Sequence, residues 1–203
     1  LSFILIIIFW ASFEQAGGLM NLYAFEKTDR SISFINNWEI PTSWFQSINP
    51  LLIILLGVPI SSFLIKKRFS SLFKMSVGII IMGLGFVFMH FASVEFQRDG
   101  YSGMRWLFLA YLFHTIGELC ASPVVLSFIT KLSPLNSLST IMGIYFATIG
   151  LGNKLAGIIG EYSQELGESE TFLGITFVCV SFGLIIILFL KKLNRFSHGA
   201  DKY

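Results

Sequence analysis

Charge is scarce in this sequence. Asp, Glu, Lys and Arg together make up 13% of its 203 residues, where about a quarter is usual for a soluble domain. The deficit is uneven. Long blocks carry almost no charge and the short joints between them carry most of it, which is the pattern of a membrane-spanning chain. Cysteine is scarce too. The two present, Cys120 and Cys179, fall inside apolar blocks. They read as small buried hydrophobes and offer neither a disulfide framework nor a metal-ligand spacing. His90, His114 and His198 are scattered, and none has a carboxylate-rich neighbour at ligand spacing. A metal motif, a G-x-S-x-G and a phosphate loop are all missing, which argues against the hydrolase and nucleotide-binding classes that depend on them.

What is abundant is apolar. Hydrophobic residues make up 54% of the chain, and the mean hydropathy is +0.74. Six blocks approach or exceed the roughly 20 residues that cross a bilayer: 1–24, 44–65, 71–94, 104–130, 138–160 and 171–190. In hydrocarbon every backbone polar group must be satisfied within the segment, so these blocks are expected to be helices. A β-barrel would alternate with period two, and Ile79-Ile80-Ile81 and Ile185-Ile186-Ile187 do not. The expected fold class is an all-α membrane protein of six transmembrane helices, with short polar joints that leave little for any soluble domain. Leu1 already lies inside the first block. That block lacks a charged leader and a small-residue cleavage site, so it reads as a true span, and its abrupt start leads us to expect a fragment of a longer protein.

The joints carry a consistent charge asymmetry. Lys66, Lys67, Arg68, Lys74, Lys131, Lys191, Lys192, Arg195 and Lys202 lie on one side, nine of the fourteen basic residues, with Asp201 as the acid among them. The opposite joints hold Glu26, Asp29, Glu39, Glu95, Asp99, Glu161, Glu165, Glu168 and Glu170, with Lys27, Arg30, Arg98 and Arg105. By the positive-inside rule the even-numbered joints and the C-terminus of this multi-pass protein are expected to be cytoplasmic. The net charge of +2 therefore points to no nucleic-acid partner; the basic residues follow the bilayer.

Two acids do not fit the joints. Glu14 lies 13 residues from the chain start, and Glu118 lies 13 residues from both Arg105 and Lys131, about 20 Å along a helix. A carboxylate at membrane depth is costly unless it is protonated, paired or facing water, and the default reading is functional; the plainer one is a protonated Glu bonded within a helix interface. Lys154 is the one cation within a span, toward the outer end of its block, so basic partners are expected on helices that this sequence does not contain. Trp10 and Glu14 are four apart and share a helix face, with Asn21 near it. His114, Glu118 and Ser122 are spaced i, i+4, i+8 and read as a polar stripe, followed by Pro123, which favours a kink. His114 is either a hydrogen-bonded interior histidine or a proton relay. Asn49 follows Gln46 by three residues and precedes Pro50; it either meets a ligand or satisfies backbone freed by the proline. Gly143, Ala147, Gly150, Gly152, Ala156, Gly157 and Gly160 surround Asn153 and are expected to let helices approach closely.

These motifs resemble a known family. Phe9-Trp10-Ala11-Ser12-Phe13-Glu14-Gln15-Ala16-Gly17 is similar to the seventh helix of the proton-dependent oligopeptide transporters of the major facilitator superfamily. The run from Ile40-Pro41 to Asn49-Pro50 resembles the start of their eighth. Gly117-Glu118-Leu119-Cys120-Ala121-Ser122-Pro123, continuing to Thr130-Lys131-Leu132-Ser133-Pro134, resembles their tenth, and Met142-Gly143, Gly152-Asn153 and Ala156-Gly157 their eleventh. The order is right and the likeness covers nearly the whole chain. It implies the C-terminal six-helix bundle of a two-bundle transporter. The N-terminal bundle, with its first-helix proton-coupling motif and fifth-helix signature, is missing.

The resemblance implies proton-coupled symport of di- and tripeptides by alternating access, with protons as the coupling ion and no cofactor. Glu118 matches the residue thought to hold the peptide amino terminus, Ser122 a pocket-wall serine and Asn49 an asparagine that bonds the peptide backbone. Trp10 matches a pocket tryptophan, and Tyr145 stands where relatives often show tryptophan. Glu14 matches a carboxylate paired with an arginine of the other bundle, and Glu26 an acid of the periplasmic gate. Two other classes stay open: a membrane-embedded enzyme using the buried carboxylates, and a non-transporting half-transporter with a structural role.

Overall fold

The computed structural model describes residues 2–32 and 38–196; His198, Asp201 and Lys202 lie outside them. Six segments are long and apolar enough to cross a membrane: Phe3–Glu26, Thr42–Lys66, Ser71–Asp99, Met104–Leu132, Leu138–Leu166 and Glu168–Leu188. The six blocks of the sequence are all present, and their ends differ for a common reason. The third runs on to Asp99 and the fifth to Leu166, while the sixth begins at Glu168. Hydropathy reports only the apolar middle, whereas a helix continues into its charged ends, where side chains reach water. Glu168 and Glu170 fall in the first turn of the last span, where the helix dipole favours acids.

The first span is not one helix. It comprises α1 (Ser2–Phe13), a 3-10 turn over Glu14–Ala16, and α2 (Leu19–Glu26). Gly17 and Gly18 sit at the break, and glycine is a poor helix former. The Tyr111 hydroxyl donates to the Ala16 carbonyl at 2.9 Å, and Gln15 Nε2 donates to the Ala11 and Ala156 carbonyls, each at 3.1 Å. Side chains thus satisfy carbonyls beside the interruption, as membrane depth requires. The helix continuity expected from Glu14 to Asn21 is lost. The second span is also divided, into α3 (Thr42–Gln46) and α4 (Ile48–Lys66), with Pro50 in the first turn of α4, where its missing N–H costs little.

The core is built around α5 (Ser71–Asp99), which packs against α6 (Met104–Leu132) and α8 (Glu168–Leu188). Met75, Ile79, Met82, Phe86 and Met89 of α5 are fully buried. The α5–α6 approach is backbone to backbone. A Cβ at Gly78 would lie 2.7 Å from the Gly117 carbonyl oxygen, and one at Gly117 would lie 2.6 Å from that of Gly78. In a membrane, such contacts supply the packing that water supplies elsewhere. The other elements are peripheral: α1 lies on α7 (Leu138–Leu166), α4 lies on α6, and α9 (Leu190–Phe196) follows α8. Ile54, Leu55 and Val58 of α4 are exposed, as suits a lipid-facing helix. Of the α7 glycines, Gly152 alone is pressed against a neighbour, the backbone of α1 at Ile7 and Ala11. Gly143, Gly150, Gly157 and Gly160 face open space, so among these glycines the close helix approach expected of the stripe occurs at Gly152.

The acid-rich joints gather at one end. The pair β1 (Thr28–Asp29) and β4 (Ser102–Gly103) is parallel, and β2 (Ser31–Ile32) with β3 (Trp38–Glu39) is antiparallel, strands that hydropathy alone did not anticipate. Lys27 pairs with Glu168 at 2.8 Å and Arg105 with Glu95 at 2.7 Å, and the Trp106 indole also donates to Glu95. Ser31 donates its hydroxyl and its amide to Asp29, which holds that carboxyl below its usual range.

Gly117→Val is expected to prevent folding, because the added methyls meet α5 backbone rather than a flexible side chain. Gly174→Ala on α8, where a Cβ meets nothing, is expected to leave the melting temperature unchanged or slightly raised, by the helix-propensity gain of about 1 kcal/mol. Fluorescence-detected size exclusion and thermal unfolding of the purified variants check both.

Candidate functional site

The site residues come from three places: the break in the first span, the start of α4 and one stripe of α6. A cleft of about 220 Å³ is lined by Phe13, Glu14, Ala16, Gly17, Gln46, Asn49 and Tyr111. Glu14 reaches it because the helix is interrupted at that residue. Asn49 reaches it from the first turn of α4, and its Nδ2 donates to Glu118 Oε2 at 2.8 Å. Two residues distant in sequence, both chosen from it as binding candidates, are therefore bonded to each other beside the second membrane carboxylate.

The polar stripe on α6 is displaced from the one expected. It comprises Tyr111, Thr115, Glu118 and Ser122, spaced four, three and four residues apart. Thr115 joins the Asn49 contact at 3.3 Å, and Tyr111 lines the cleft. His114 belongs instead to the neighbouring stripe that faces α5. A Cβ at Gly85 of α5 would lie 3.2 Å from His114 Nδ1, and Gly78 meets Gly117 and Ala121. His114 is 0% exposed, its Nδ1 is bonded to the Ala110 carbonyl at 3.1 Å, and its ring meets the Phe86 ring at 4.7 Å. It is an interior histidine. The period of four picked it out, but alternating threes and fours are what hold a stripe on one face of a helix. Thr115 and Tyr111 were legible at those offsets from Glu118.

The remaining candidates lie apart from this cleft. Trp10 is half-buried, with Phe9 and Phe13 around its ring and its Cβ against Gly152. Tyr145 is 6% exposed, and its ring lies 5.4 Å from that of Phe146, tilted by 58°. Ser122 is half-buried one turn beyond Glu118, and Glu26 is exposed at the end of α2. Lys154 is exposed on α7. Ser12 Oγ and Cys179 Sγ lie 3.0 Å apart, so that cysteine carries an interhelical polar contact as well as filling space.

Glu14 also lines a second, wider groove of about 670 Å³ between the first span and α7, with Asn153, Glu161 and Gln164. It is thus open on two sides. Among the described residues the ion pairs are Lys27–Glu168, Arg30–Glu39, Arg98–Asp99 and Arg105–Glu95. All four lie at the acid-rich joints, and among the described residues neither Glu14 nor Glu118 has a cationic partner. The geometry offers a hydrogen-bonding wall of carboxylate, amide and hydroxyl groups with one sign of charge, suited to a cationic or zwitterionic ligand.

The chain is similar to known proteins over most of its length. The model of the PTR2, or POT, family matches residues 1–176. The peptide transporter YePEPT of Yersinia enterocolitica is 36% identical over 204 residues, covering 95% of this chain and 39% of its own length. A di-/tripeptide transporter of Lactococcus lactis is 26% identical, covering 95% of this chain and 40% of its own length. A crystal structure of a POT family transporter in complex with 5-aminolevulinic acid superposes with a TM-score of 0.83 at 29% identity, over 94% of this chain and 40% of that one. The chain spans about 40% of the length of the relatives it matches. With six membrane-crossing helices and a family match over most of its length, this chain is a multi-pass membrane protein that belongs to the POT family.

Proposed function

We propose that this chain is the C-terminal bundle of a proton-coupled symporter that imports di- and tripeptides across the cell (inner) membrane by alternating access, with its C-terminus in the cytoplasm. The observation that carries this reading is the Asn49–Glu118 contact beside the cleft that holds Glu14. A small peptide is a zwitterion of near-fixed length. A carboxylate here and cations on an N-terminal six-helix bundle would clamp its two ends and read its backbone rather than its side chains. The absence of a cation partner for either carboxylate among the described residues suits a site completed by another bundle. The relatives named above are transporters, two of them of peptides, which weighs against a membrane enzyme.

In this mechanism Glu118 receives the peptide ammonium while Asn49 bonds the backbone, with Ser122, Trp10 and Tyr145 supplying the outer walls as the bundles rock together around a midplane site. Glu14 carries the coupling proton. As a carboxylate it would pair with a cation of the other bundle, and once neutral it would release that pair and bias opening. Glu26, at the acid-rich end, would serve the outer gate. One proton crossing 100 mV contributes about 2.3 kcal/mol, enough for roughly 40-fold accumulation of a substrate without net charge. No cofactor is required.

Uptake and counterflow of labelled dialanine by the full-length transporter carrying this sequence test the reading. Glu118→Gln is expected to raise the apparent KM by roughly 10- to 100-fold, the value of a charge-assisted hydrogen bond; an unchanged KM would remove the ammonium from that residue. Glu14→Gln is expected to retain counterflow, which needs no net proton movement, and to lose accumulation driven by an inward proton gradient. Accumulation at the unmodified level would show that the proton travels elsewhere, and a full-length protein without any uptake would leave the structural role as the better account.

A further inference from the structure

Asn49 is held by two groups of α6. Its Nδ2 lies 2.8 Å from Glu118 Oε2 and 3.3 Å from Thr115 Oγ1. Thr115 is 0% exposed, and its one proton is committed, because Oγ1 donates to the Tyr111 carbonyl at 2.8 Å. A threonine hydroxyl has a single proton to give, so toward Asn49 it can only accept. A side-chain amide donates at one end and accepts at the other. Turning Asn49 over would set its Oδ1 against the lone pairs of Thr115 and leave a buried hydroxyl acceptor unmet, which is unfavourable. Glu118 cannot fix the amide alone. As a carboxylate it accepts from Nδ2, but in a protonated form it could donate to Oδ1 equally well. Thr115 makes one orientation correct whichever state Glu118 is in.

We infer that Thr115 is a positioning residue that holds the Asn49 amide with its NH2 on α6, leaving Oδ1 as the acceptor offered to the substrate. The inference rests on the peptide-site reading above and adds a chemical requirement to it: the substrate must bring an N–H donor to Asn49. The ammonium and the amide N–H of a peptide backbone both satisfy this. The arrangement also keeps the acceptor in place when Glu118 exchanges its Asn49 contact for the substrate, so the site does not lose its orientation in the step that binds.

The test is a set of variants in the full-length transporter, measured by initial rates of dialanine uptake. Thr115→Val keeps size and removes the acceptor. It is expected to raise the apparent KM by roughly 3- to 10-fold, the worth of one hydrogen bond, with kcat within about twofold of the unmodified protein. Thr115→Ser restores the acceptor and is expected to restore the KM. The double variant Asn49→Ala with Thr115→Val is expected to be no worse than Asn49→Ala alone, because Thr115 acts through Asn49. An unmodified KM in Thr115→Val, a Thr115→Ser as impaired as Thr115→Val, or additive losses in the double variant would each overturn the inference while leaving peptide transport intact. Thermal unfolding of Thr115→Val shows whether it folds; if it does not, the Thr115→Ser and Asn49→Ala comparison decides, and Thr115→Ser with its own raised KM overturns the assignment. Lack of dialanine uptake by the unmodified protein overturns the transport reading and this inference with it.

Discussion

The bundle depends on how closely α5 can approach α6. At Gly78 and Gly117 the two backbones meet at a separation that leaves no room for a single extra carbon, and lipid supplies no hydrophobic force to hold helices together otherwise. That contact fixes the rotation of α6. With Ala110, His114, Gly117 and Ala121 turned toward α5, the stripe one residue further round, Tyr111, Thr115, Glu118 and Ser122, turns toward α4 and the break in the first span. The chemistry of the site is thus a consequence of a packing decision on the neighbouring flank of the same helix. His114 is polar in character but is placed by packing, whereas Thr115, ordinary in sequence, is placed where an amide must be oriented.

The interrupted first span is the second element the site requires. A straight helix through Glu14 would satisfy its own backbone and close the space beside it. Breaking it frees carbonyls that membrane depth cannot leave bare, and Tyr111 and Gln15 accept that task from α6 and from the span itself. The break opens Glu14 to a cleft shared with Asn49 and to a wider groove along α7. A carboxylate with access from two sides is chemically suited to exchange a proton on one and sense a ligand on the other. The open glycine face of α7 borders that same groove, leaving space for a further element to approach closely.

The charged groups of this chain are paired unevenly. Its ion pairs close the acid-rich end, where Lys27, Arg105 and Arg30 each find a carboxylate. At membrane depth the two carboxylates have amide and hydroxyl neighbours but no cation among the described residues. Within a single bundle this would be a cost without return. In the proposed mechanism a second bundle would supply the cations, and the unpaired carboxylates would take up a positively charged group.

The sequence by itself determined the class of fold, the number of spans and the family. Apolar runs of bilayer length, separated by charge, admit few other solutions, and the motifs around Glu14, Asn49 and Glu118 are dense and ordered. It also determined that two carboxylates lie at membrane depth, because that follows from counting along a helix. What it could not decide was direction. Spacing of four gave His114 the place beside Glu118 that Thr115 and Tyr111 hold, since a helix turns 100° per residue and only a fixed contact such as Gly78 with Gly117 says where the turning starts. Nor could it show that the first span breaks at Glu14: Gly17 and Gly18 permit an interruption, but the Tyr111 hydroxyl that meets the Ala16 carbonyl is brought in from another helix. The tertiary structure alone bonded Asn49 to Glu118, because no rule of local spacing relates residues 69 positions apart.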